Sequence, residues 1–248
     1  MWDRPDILNA IANTLFAAAF VLLAFVALHF AVRLPLFPLR EVVVNGELAH
    51  TTAQQLEAAA KRELKGNFFT VDLAHARAVF ERLPWARRVS VRREWPDRLL
   101  VDLEEHVPLA RWGDTALVDT YGDVFAAAYD GELPVFIGPQ GSAPEIAIQY
   151  DYFRRTLARI GRTPAQVQIS ARKAWEIRLD DRLVLELGRE QLEERLSRFV
   201  ALYERTIGPL QRRIEYADLR YPNGFAVRIP GLKLEAQPAR SAPSRKRA

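Results

Sequence analysis

The sequence predicts an α+β protein carried on a single N-terminal transmembrane helix. Three observations support this. Residues Ile7 to Val32 hold no formally charged side chain, apart from the titratable His29. Between residues 36 and 107 the hydrophobic period changes from strand-like to helical and back, in the order strand, helix, helix, strand, strand. From residue 108 to 230 period-2 segments outnumber helical ones, which predicts a mostly antiparallel β-domain with two or more helices. The expected organisation is a tail over 1–6, a span over 7–34, domains over 36–107 and 108–230, and a basic tail over 231–248.

The span comes first. A helix crosses the hydrocarbon core with about 20 apolar residues and satisfies its own backbone there. Leu15 to Leu28 is apolar on every side. A cleaved signal peptide would have a basic start and an apolar run of roughly 7–15 residues. This chain instead starts Asp3, Arg4, Asp6, and its run is longer. Arg4 flanks one end, Arg33 and Arg40 the other, so the flanking charges leave the orientation open.

In the first domain, Pro35 and Pro38 end the membrane helix. Leu39 to Val44 reads as a strand stopped by Asn45-Gly46. Thr51 or Thr52 caps a helix that runs through Leu56, Ala60 and Leu64 and closes at Gly66. Asp72 caps a second helix with Leu73, Ala76, Phe80 and Leu83 on one face, ended by Pro84. Val89 and Val91 mark a strand, Trp95-Pro96-Asp97-Arg98 a turn, and Leu99, Val101 and Leu103 the inward face of a second strand. Both helices are expected on one face of the sheet.

The second domain opens with strands at Leu117–Asp119 and Val124–Phe125, then a Pro/Gly-rich loop from Pro134 to Pro144. Tyr150, Phe153, Leu157 and Ile160 form one face of a short helix. Trp175–Leu179 and Leu183–Leu187 alternate around Asp180-Asp181, which predicts a hairpin. Arg189 to Ile207 is an amphipathic helix with Leu192, Leu196, Phe199, Val200 and Tyr203 inward. Ile214, Tyr216 and Leu219 mark a strand, Pro222-Asn223-Gly224 a turn, and Phe225, Val227 and Ile229 the last strand.

Composition then excludes chemistry. Among 248 residues there is no cysteine, which removes disulfides, thiolate metal sites and thiol nucleophiles. The four histidines are scattered, and no zinc, nucleophile-elbow or phosphate-loop pattern is present. We therefore expect no enzyme, no metal and no cofactor. The formal charge of +4 suggests nucleic acid until it is located. Residues 230–248 hold five bases against Glu235 alone, which accounts for all of it. The Arg87-Arg88 and Arg92-Arg93 patch lies among enough acids to predict a salt-bridged hairpin face. Binding chemistry remains. The last strand is a candidate sheet edge that another chain can extend, with Arg220, Tyr221 and Arg228 as charged and aromatic anchors.

These segments, in this order, resemble the FtsQ/DivIB family of bacterial divisome proteins. The resemblance rests on Pro38-Leu39-Arg40-Glu41-Val42-Val43-Val44-Asn45-Gly46, Gly66-Asn67-Phe68-Phe69-Thr70-Val71-Asp72, Leu83-Pro84-Trp85 and Trp95-Pro96-Asp97-Arg98-Leu99. Further on it rests on Ala171-Arg172-Lys173-Ala174-Trp175, Leu187-Gly188-Arg189, Arg198 to Tyr203, and Asp218 to Val227. The resemblance implies that the βααββ unit is a POTRA domain. It implies a single-pass inner-membrane protein with a cytoplasmic N-terminus and periplasmic domains, working at the division septum. It implies a scaffold without catalysis that binds FtsB and FtsL, with FtsK, FtsW, FtsI and FtsA as further partners. The partner strand would add along Asn223, Gly224, Phe225, Ala226, Val227 and Arg228, with Tyr221 shaping the edge, and Arg172 and Arg220 would pair with partner acids. One departure stands near Ile229, where the family often carries an aromatic residue. The alternative is another POTRA-bearing envelope assembly or transport protein.

Overall fold

The computed structural model describes residues 5–34, 37–208 and 214–230. The expected basic tail, residues 1–4 of the N-terminal tail and the proline at position 35 lie outside the described residues. The boundary between two compact units falls at Val107–Pro108.

Helix α1 spans Pro5–Arg33. Its stretch Asn9–Arg33 is long and apolar enough to cross a membrane and has no buried share. Its apolar residues surround the whole helix, as a lipid-facing segment requires and an amphipathic one does not.

The rest of the first unit is β1 (Glu41–Asn45), α2 (Ala53–Glu63), α3 (Leu73–Glu81), β2 (Ala86–Glu94) and β3 (Arg98–Glu105). The sheet order is β1-β3-β2, with β1 parallel and β2 antiparallel to the central β3. Thr52 starts α2 with a reciprocal capping box. Its Oγ1 accepts from the Gln55 N–H, while Gln55 Oε1 accepts from the Thr52 N–H at 3.0 Å. Asp72 starts α3 by accepting from the Ala74 and His75 amides. Leu64, in an extended conformation, ends α2 two residues before Gly66, where the sequence placed the stop. At Gly46 glycine is obligatory: φ is +142°, and a Cβ would sit 2.0 Å from the Leu103 carbonyl oxygen.

Leu56 and Ala60 of α2, Phe80 of α3, Val89 of β2 and Val101 and Leu103 of β3 make the core. Leu100, assigned by alternation to the outer face, is only 5% exposed. It lies on the central strand, flanked by Val43 on one side and Arg92 on the other. Three of the four arginines of the basic patch are engaged within the domain. Arg87 and Arg88 both approach Glu104, at 2.7 and 3.8 Å, and Arg93 donates to the carbonyls of Phe68 and Val71.

The second unit holds β4 (Pro108–Trp112), β5 (Ala116–Asp119), β6 (Val124–Phe125), β7 (Val135–Ile137), α4 (Ala143–Leu157), β8 (Pro164–Ile169), β9 (Trp175–Leu179), β10 (Val184–Gly188), α5 (Leu192–Thr206), β11 (Tyr216–Asp218) and β12 (Ala226–Arg228). They form one nine-stranded sheet in the order β12-β11-β10-β9-β8-β7-β4-β5-β6. Most neighbours are antiparallel, but β4/β7, β7/β8 and β10/β11 are parallel. The last two arise because α4 and α5 act as crossovers that return the chain in the same direction.

Three strands were not expected: β4, β8, and β7, which lies inside the predicted Pro/Gly-rich loop. The short helix expected around Tyr150 is the 15-residue α4, and Ile160 belongs to a 3-10 turn after it. Phe136, Ile146, Phe153, Ile177, Leu185, Leu196, Phe199 and Ala217 are fully buried between the sheet and the two helices. Tyr216 is not among them. Ala217 of β11 and Leu219 just after it point inward, which turns Tyr216 to the opposite face.

Candidate functional site

The last strand ends the sheet. β12 pairs only with β11, in the register Asp218↔Ala226, Ala217↔Val227 and Tyr216↔Arg228. Its other side has no strand neighbour among the described residues. Phe225 and Ile229 hold its two ends to the core, Phe225 by a T-shaped contact with Phe199 at 5.3 Å. Between them Val227 remains 37% exposed. An edge fixed at both ends with an accessible middle is suited to strand addition, because the receiving backbone is already ordered.

The residues around this edge behave differently from one another. Arg220 forks onto Asp218, Nε to Oδ1 at 2.9 Å and Nη2 to Oδ2 at 2.7 Å, and its Nη1 lies 2.7 Å from Glu186 Oε1. Glu186 stands directly across from both Glu176 on β9 and Asp218 on β11. Like charges facing across strands are destabilising. Arg220 and the Tyr216 hydroxyl, which donates to Glu186, offset that repulsion.

Arg220 holds the Asp218 carboxyl below the usual aspartate range, against the opposing effect of burial. Burial first, and then the bond to Glu186, pushes the Tyr216 hydroxyl up to about 12. The Arg228 guanidinium lies 5.4 Å from the Tyr216 ring centre, a cation–π contact that fixes the far end of β12. The stem of Arg220 runs over Gly188, whose φ is +79°. A Cβ there would come within 3.1 Å of Arg220 and 2.9 Å of Arg195.

Arg172 has no such engagement. It is exposed in the tight turn between β8 and β9, with no hydrogen-bond or ion-pair partner among the described residues, while its neighbour Lys173 pairs with Glu145. Sheet direction brings this turn, the end of β10, the end of β11 and the start of β12 to the same end of the sheet. Arg172, in the turn joining the strands three and four places from β12, lies roughly 14–19 Å from it by strand spacing. Tyr221 is 54% exposed, and its carbonyl accepts from Arg198 Nη1 at 3.0 Å. Asn223 and Ala226 are exposed. Gly224 has open space where a Cβ would stand and no left-handed φ, so packing within the chain does not require glycine there.

Sequence reasoning thus found the edge, but it missed the Glu186–Tyr216–Asp218 set that occupies Arg220. The clue was available: Glu186 and Asp218 are polar residues at outward positions of otherwise apolar strands.

Comparison with known proteins fits this architecture. The family model described as POTRA domain, FtsQ-type, matches residues 37–106, and the one described as Cell division protein FtsQ/DivIB, C-terminal, matches residues 110–220. The second match stops before β12. Cell division protein FtsQ of Nitrosospira multiformis is 44% identical over 233 residues, covering 92% of this chain and 99% of that protein. The protein of the same name from Burkholderia pseudomallei is 43% identical over 240 residues, covering 94% and 96%. That of Escherichia coli is 37% identical over 199 residues, covering 77% and 72%. With both domains matched in order and near-full-length relatives above 40% identity, the chain belongs to the FtsQ/DivIB family of cell division proteins.

Proposed function

We propose that this cell division protein is a membrane-anchored scaffold that works by binding, without turnover, and that its partner is the FtsB–FtsL pair. The observation that carries the reading is the position of β12 at the sheet edge, anchored by Phe225 and Ile229, with no strand neighbour on its outer side among the described residues. A partner strand laid along Asn223 to Arg228 gains main-chain hydrogen bonds without a groove or pocket. Exposed Tyr221 supplies an aromatic contact beside it. Arg172, charged, unengaged among the described residues and at the same end of the sheet, is the better of the two arginines for a partner carboxylate. Arg220 serves first to bridge Glu186 and Asp218 and offset their mutual repulsion.

The anchor in this reading is α1, with the N-terminus cytoplasmic and both domains periplasmic at the septum. Contacts to FtsK, FtsW, FtsI and FtsA are assigned to the same scaffold role. A reporter fused after residue 230 tests the orientation, since a cytoplasmic signal would refute it. Co-purification of the full chain with FtsB–FtsL tests the interface. Arg172→Glu and Tyr221→Ala are expected to lower recovery of the pair, and wild-type recovery in both variants would sink the proposed edge.

A further inference from the structure

The first unit carries a second surface, at the end of its sheet nearest α1. Asn67, in the loop between α2 and α3, donates from Nδ2 to the carbonyls of Val32 at 2.8 Å and Leu34 at 3.0 Å. Carbonyls at a helix C-terminus have no partner within the helix, so Asn67 acts as a side-chain cap supplied by the domain. The same side chain accepts from the Phe69 and Thr70 amides at 3.0 and 2.9 Å, which fixes the loop. The Phe68 N–H donates to the Phe37 carbonyl at 3.0 Å, and the Phe37 and Phe69 rings meet edge to face at 5.0 Å. Thr70 shares a groove with Phe25, Leu28, His29, Val32 and Arg33 of α1. The loop therefore lies alongside the last turns of the helix.

Depth follows from helix geometry. The uncharged stretch is centred near Phe20. At 1.5 Å per residue, about ten residues in each direction reach the edge of a hydrocarbon core of about 30 Å. Residues 30–34, and the loop bonded to them, then fall at headgroup level. Sheet register brings a third aromatic to this end. β1 starts beside β3, Glu41 against Arg98, and the Arg40 N–H donates to the Asp97 carbonyl. The turn holding Trp95 is thus at the end where the chain leaves α1. Trp95 is 80% exposed, and Phe37 and Phe69 are each more than 40% exposed. Two ion pairs lie beside them, Arg98 with Glu41 at 2.8 Å and Arg40 with Asp97 at 3.7 Å. Trp95 at headgroup depth is a residue of membrane interface belts, and exposed Phe rings beside it suit burial at the headgroup–acyl boundary.

We propose that Phe37, Phe69 and Trp95 form a lipid-contact surface that seats the POTRA domain on the bilayer leaflet at the C-terminal end of α1. The occupant is the phospholipid headgroup–acyl boundary. The proposal rests on the reading of α1 as a membrane span.

The absence of native cysteine makes the test direct. Full-length chains carrying one spin label each, at Phe20→Cys, Phe69→Cys, Trp95→Cys or Glu47→Cys, are reconstituted in phosphatidylethanolamine–phosphatidylglycerol vesicles. Each domain label leaves at least two of the three aromatics in place. Accessibility to oxygen against a water-soluble nickel chelate reads depth. Phe20 should read as hydrocarbon, Phe69 and Trp95 as interfacial with a ratio several-fold above that of Glu47, and Glu47 as water. A ratio at either Phe69 or Trp95 equal to that of Glu47, with Phe20 in hydrocarbon, overturns the lipid contact and leaves the span intact. Immersion of Glu47 as well overturns it too, because the contact would not be confined to one end. A water reading at Phe20 removes the span and the proposal together.

Discussion

Arg220 and Asp218 form a two-point ion pair, Nε to Oδ1 at 2.9 Å and Nη2 to Oδ2 at 2.7 Å, on the strand next to the sheet edge. The same guanidinium also reaches Glu186, so it bridges the two carboxylates that face each other across β10 and β11. Arg220→Ala leaves Glu186 and Asp218 facing each other. After allowance for the half-exposed arginine, the expected loss is about 1–2 kcal/mol of local stability. Hydrogen exchange at the Glu186 and Asp218 amides reads it, and unchanged protection would refute the role.

The same pair gives a pH dependence. The folded pKa of Asp218 is depressed, first by the Arg220 hydrogen bond. The stabilisation is therefore complete above the ordinary aspartate value of 3.8 and is lost as pH falls through the lower folded value. Acid unfolding of the wild type and of Asp218→Asn should converge below that range, with the wild type more stable only above it.

Tyr216 has the opposite sign. Its neutral hydroxyl is favoured by burial and by Glu186, and its pKa is pushed up to about 12 from an ordinary value of 10.0. That stabilisation holds below pH 10 and fades as pH rises towards 12. The ultraviolet phenolate titration of the wild type minus that of Tyr216→Phe should show one tyrosine with its midpoint near 12. A midpoint at 10 would contradict the contact.

In the first unit, Glu105 accepts from the Ala49, His50 and Thr51 amides at 2.9, 3.0 and 2.6 Å. Burial raises its pKa, but the hydrogen bonds from Thr51 and from these amides outweigh it and hold the carboxyl below its ordinary value. Glu105→Ala removes the acceptor for three donors at the entrance to α2. It should cost about 2–4 kcal/mol, read by denaturant unfolding of the full chain in detergent.

Much of this fold could be read from local chemistry. Thr52 and Asp72 are caps with a mechanism, and both start helices where the sequence placed them. The strand β12 is bounded by Pro222-Asn223-Gly224 and held by Phe225 and Ile229, so its place was legible. Strands β7 and β8 were not. Val135-Phe136-Ile137 is three residues between Pro134 and Gly138, too short for a period, and Pro164 to Ile169 has only two large apolar side chains. Both are stabilised by their neighbours in the sheet rather than by their own pattern, as tertiary pairing of strands allows. The occupation of Arg220 was also hidden, because Glu186 lies 34 positions away and meets it only through the parallel β10–β11 pairing. Arg172, by contrast, has no ion-pair partner among the described residues that could hide its charge.

The central claim is strand addition at β12, and hydrogen exchange at the Ala226, Val227 and Arg228 amides tests it most directly. The full chain is measured alone and in complex with FtsB–FtsL. The account predicts slower exchange at outward-facing amides of this strand in the complex, with the change spreading to Gly224. A complex that forms while exchange across residues 223–228 stays as in the free chain would contradict it.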